Sequence, residues 1–144
     1  MISLVLFGAA LILYFAISKG TSLIAWFQKV LLLLFINLTI LDIAGLTVYI
    51  PYRAEGGPRT ILKASESTSW MHGIVFEHKE FLAFAPPIMI LVAYLVVKTL
   101  GNKLNDKQFS NVKKSVAFSI VTALVFVLIV AAEAVLVTKT APVQ

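Results

Sequence analysis

Two acids stand inside runs that otherwise read as hydrocarbon. Asp42 follows VLLLLFINLTIL, and Glu133 sits within ALVFVLIVAAEAVLV. Ionisable residues in membrane helices are costly, and they commonly face a bundle interior, a partner or a water-filled site. A further group, Glu77, His78 and Glu80, precedes the apolar run 81–97. Carboxylates joined by a histidine can ligate copper, iron, zinc or manganese, and acids within the membrane can serve as proton carriers. Asp42, Glu77, His78, Glu80 and Glu133 therefore form the candidate buried polar cluster, with Glu77, His78 and Glu80 as candidate metal ligands.

Spacing decides which of these can meet. Helical steps of three and four place Glu77, Glu80, Phe84, Pro87, Leu91, Tyr94 and Lys98 on one face. The same steps join Ser115, Ser119, Thr122, Phe126, Ile129 and Glu133, and again Phe35, Thr39, Asp42, Leu46 and Tyr49. If the three stripes face one another, Asp42, Glu80 and Glu133 converge, with Glu77 and His78 above them. Geometry limits a metal site, because His78 lies about 160° around the helix from Glu80 while Glu77 lies about 60° from it. The only two histidines, His72 and His78, share one helix about 120° apart, which argues against a haem held wholly by this chain. No polar path continues toward the opposite membrane face, so a through-membrane proton pump is not supported. The plainer reading is that Ser and Thr pack helices together and that residues 77–80 are solvated at the interface, where charge is cheap. No cofactor is expected of this chain alone.

The elements that must position these residues follow from composition. Of the 144 residues, 60% are hydrophobic and only 13% charged, about half the charge of an ordinary soluble domain. A chain this small cannot hide so much apolar surface in its own core, so lipid must cover it. The apolar runs predict an all-α membrane protein, one membrane domain over 1–144, with four transmembrane helices in a bundle at about 2–18, 30–50, 70–98 and 115–137. The first run has no basic segment before it, and Lys19-Gly20 follows it, so it reads as a retained helix rather than a signal peptide. Pro51 is expected to end the second helix, and Pro86-Pro87 to bend or break the third.

Between the second and third helices lies an outer cap, 51–80, with Gly56-Gly57-Pro58 as a turn signal. Its β-prone flanks, 48–52 and 60–62, allow a short hairpin, and Ser67-Thr68-Ser69 offers a helix cap. Arg53, Glu55, Arg59, Lys63, Glu66 and His72 make the cap mixed in charge and suited to docking a partner. The opposite loops are basic: Lys19 and Lys29 on one, Lys98, Lys103, Lys107, Lys113 and Lys114 against Asp106 on the other. Basic excess marks the cytoplasmic face, so loop 101–114 is expected inside the cell membrane and both termini outside.

The net charge of +5 belongs mostly to these loops, which leaves no basic surface for nucleic acid. The chain has no cysteine, which excludes disulfides and thiolate metal sites. No nucleophile–base set, P-loop or dinucleotide fingerprint is present. The small-residue patches Gly8-Ala9-Ala10 and Ala131-Ala132 permit close helix contact. The reading that follows is a small, non-catalytic accessory subunit in a membrane hetero-oligomer, surrounded by lipid, of the type found in respiratory oxidases and membrane monooxygenases. The alternatives are a stand-alone carrier or proton-linked protein using Asp42 and Glu133, and a metal- or haem-binding protein built on Glu77, His78 and Glu80.

Overall fold

The computed structural model describes residues 1–64 and 77–140, all-helical and with no strand among the described residues. Five α-helices follow in order: α1 (Ile2–Ser18), α2 (Ile24–Arg53), α3 (Pro58–Ala64), α4 (Glu77–Leu100) and α5 (Ser110–Thr140). Two short 3₁₀ turns, Gly101–Asn105 and Lys107–Phe109, join α4 to α5. Three stretches, Ile24–Pro51, Leu82–Asn105 and Lys107–Val135, are long and apolar enough to cross a membrane, and α1 is a shorter apolar helix. Helix is the natural state of such runs, since hydrocarbon offers no other partner for backbone groups.

α1 ends where the sequence indicates. Lys19 N–H closes on the carbonyls of Phe15 and Ala16, and Gly20 then takes a positive φ of 92°, which glycine adopts without strain. The longer helices overrun their expected bounds. α2 begins at Ile24 rather than 30 and continues to Arg53, so Pro51 does not end it. Proline already holds a helical φ and removes only one donor, and Ala54 N–H finishes the turn on the Pro51 carbonyl at 3.2 Å. The hairpin is not formed. Residues 48–52 belong to α2, and Pro58 opens α3, where a missing N–H does no harm. Likewise α4 runs unbroken through Pro86 and Pro87, both buried. The two rings still deprive the carbonyls of Leu82 and Ala83 of their usual helical donors. α5 starts at Ser110, earlier than the expected 115, so Lys113 and Lys114 stand on its first turns. The expected helix start near Trp70, the cap residues Glu66 and His72, and the Ser67-Thr68-Ser69 segment lie outside the described residues.

α4 lies against both α2 and α5, while α1 packs on α2 and more lightly on α5. The buried side chains form one core shared by α1, α2, α4 and α5. Ile17 of α1, Phe27, Leu31 and Leu34 of α2, Ile90, Ala93 and Val97 of α4, and Val116, Ile120 and Ala123 of α5 make its larger part, and Phe7, Ala10 and Leu38 extend it toward the start of α1. Leu104, from the connection itself, is only 1% exposed and closes this core from below. A side-chain bond ties the same region, with Gln28 Nε2 donating to the Val97 carbonyl at 3.2 Å. Higher up, Ser3 Oγ donates to Asn37 Oδ1 at 2.7 Å, pinning the first turn of α1 to the middle of α2. Beyond that level the outer half of α2 opens outward, with Leu41, Ile43, Leu46 and Ile50 all exposed. Leu128, Ile129 and Val135 do the same on α5. Of the small-residue patches, Ala10 is buried in the core, whereas Gly8, Ala131 and Ala132 are exposed.

Candidate functional site

Asp42 lies well inside α2: at 1.5 Å per residue, about 20 Å from Lys29 and about 17 Å from Arg53. Because α2 ends at Arg53 rather than 50, the acid lies about 17 Å from the outer end of the helix instead of the expected 12 Å or so. The helix ends are marked chemically. Lys29 Nζ lies 4.9 Å from the centre of the Trp26 ring, and Arg53 Cζ lies 4.7 Å from that of Tyr49. On α4, Lys98 Nζ stands 5.6 Å from the Tyr94 ring. Such amphipathic aromatics favour membrane interfaces, and long basic side chains reach toward water there. A carboxylate on one methylene has no comparable reach.

The half-buried Asp42 opens into a groove between α2 and α4. Phe35, Thr39, Asp42, Ile43 and Leu46 form one wall; Phe84, Pro87, Ile88 and Leu91 form the other, around about 260 Å³. Two of the stripes read from spacing therefore do oppose each other: 35, 39, 42 and 46 on α2, and 84, 87 and 91 on α4. Thr39 Oγ1 donates to the Phe35 carbonyl at 2.9 Å, so its proton is already engaged within its own helix. Asp42 forms no hydrogen bond or ion pair among the described residues. The groove thus presents acceptors and apolar walls, with no cation.

The third stripe is placed apart from this groove. Glu133 is half-buried on α5, with its Oε2 atom enclosed, and no residue of α5 lines the α2–α4 groove. Glu77, His78 and Glu80 stand on the first turn of α4, and their side chains lie outside the described part of the structure. Among the described residues no group of three or more His, Asp or Glu side chains is close enough together to hold a metal. Of the cap, Arg53 ends α2 beside Tyr49, Glu55 and Lys63 are exposed, and the half-buried Arg59 lies on α3, which packs on α2.

Sequence reasoning passed over three structural contacts. Asn37 draws notice from sequence only as part of an Asn-Leu-Thr triplet, yet it is the acceptor that holds α1. Gln28, beside Lys29, bridges to α4. Leu104 reads as a loop residue, although a leucine among lysines and asparagines was the available signal. No family model, no curated protein and no solved structure matches this chain.

Proposed function

We propose that this chain is a non-catalytic subunit of a larger complex in the cell membrane, crossing the bilayer with α1, α2, α4 and α5 as a bundle. The observation that carries the reading is Asp42: an acid near the middle of a membrane-crossing helix, set in an apolar groove with no partner among the described residues. A charge in that position needs protein or water beside it, and a neighbouring chain supplies protein. The exposed apolar residues of the outer half fit the same reading, as surface for lipid and for other subunits. The basic connection 101–109 faces the cytoplasm, and the termini and the cap lie outside.

The test is extraction from the native membrane in mild detergent followed by native mass measurement. A stoichiometric assembly with other polypeptides is the expected result; a monomer with no associated chain overturns the reading. For orientation, a cysteine replacing Lys107 should be shielded from an impermeant thiol reagent in intact cells, and one replacing Glu55 should react.

A further inference from the structure

We infer that the α2–α4 groove receives a membrane-crossing helix of a different subunit, which presents a lysine or arginine to Asp42. The inference rests on the subunit reading and names the chemistry of its contact. Every polar feature that the groove offers is an acceptor: the Asp42 carboxylate and the Thr39 oxygen, whose proton is committed to Phe35. A donor, and preferably a cationic one, complements that set.

Depth restricts where the cation can come from. Asp42 lies about 17 Å or more along α2 from either basic end, too far for a lipid headgroup at the surface to reach it. A second copy of this chain cannot supply it either. No lysine or arginine occurs in 30–52, 80–97 or 115–138, so the apolar interior of each span carries none. The base therefore belongs to another polypeptide, and in hydrocarbon that polypeptide must be helical at this level. The groove admits side chains of one helix face rather than a whole helix, since it spans about 16 Å of α2 and about 260 Å³. Its walls of Ile43, Leu46, Pro87 and Ile88 suit the methylene stem of lysine or arginine.

Photo-crosslinking in the native membrane tests this, with benzoylphenylalanine in place of Ile43 or of Ile88 in the full chain. Both positions are exposed, at 57% and 60%, so the probe does not disturb the core. The expected adduct is an apolar peptide from a different polypeptide, with a lysine or arginine within one turn of the crosslinked residue. Asp42→Asn should lower the crosslink yield at least about tenfold, with helical content and unfolding midpoint unchanged. Asp42→Lys should abolish the crosslink, and aspartate in place of the partner's base should restore it. Ile88→Trp should block the groove with Asp42 intact. Adducts to lipid alone, to a second copy, or to a peptide without a base overturn the assignment, as does an Asp42→Lys chain that crosslinks normally. If native extraction yields only the lone chain, the subunit reading fails as well; if the chain is in a complex and the probes mark only lipid, the groove assignment alone fails.

Discussion

Phe27 and Ile43 belong to the same helix, yet one is fully sealed and the other is 57% exposed. The difference extends to the whole molecule. Near the basic connection, α1, α2, α4, α5 and Leu104 all contribute to one core, and Gln28 adds a bond between helices. In the other half, α2 and α4 border a groove and α5 turns leucine and valine outward. Within lipid, packing and hydrogen bonding hold helices together, because apolar surface gains little by leaving acyl chains for protein. One half carries most of the shared core and the other carries the groove, while apolar side chains such as Phe118 and Leu33 in the first and Ile43 and Ile50 in the second are exposed alike.

The contrast can be broken most directly by truncating its two emblematic residues. Phe27→Ala should destabilise the protein by about 3 kcal/mol, through lost packing and the cavity left behind. Ile43→Ala should change stability by less than about 0.5 kcal/mol. Reversible unfolding in mixed micelles measures both, and equal effects would remove the distinction between the halves. Next in size, Leu104→Ala should cost about 2 kcal/mol in the same assay, although the residue lies in a connection; a negligible effect would show that the core ends at the helices. Smaller than the core truncations, Ser3→Ala should cost about 0.6 kcal/mol, typical of a hydrogen bond between membrane helices. Its sharper readout is faster hydrogen exchange in the first turns of α1, with the exchange of α5 unchanged.

How far the sequence led is clearest on α2. Hydropathy located the helix but not its ends, because it marks the part bathed in hydrocarbon. The backbone stays helical beyond that part, through Trp26 at one end and Pro51 at the other, while its hydrogen bonds still close. The stripe carrying Asp42 was legible from spacing and does border α4. The packed stripe, Leu31, Leu34 and Leu38, was not, since a helix apolar on every side gives no moment to separate a protein-facing side from a lipid-facing one. Polar residues pointed to the edge of the contact instead of its centre. Leu104 was hidden for a different reason: its burial depends on how the connection folds back against α2, α4 and α5, a tertiary fact without local periodicity. A meeting of Asp42 with Glu133 needed knowledge of which helices are neighbours, and α2 borders α4 and α1 rather than α5.

The aromatic–cation pairs at Trp26–Lys29 and Tyr49–Arg53 have a mechanical consequence. Lys29 and Arg53 are about 36 Å apart along α2, whereas a typical hydrocarbon layer is about 30 Å thick. The basic ends thus stand further apart than such a layer is thick, and tilting is one way for α2 to fit its apolar length to a thinner bilayer. α4 shares a wall with it and must lean too, or let the cleft between them change width. Bilayer thickness thereby becomes a control on how Asp42 is presented, and short-chain and long-chain lipids should hold the protein in measurably different inclinations.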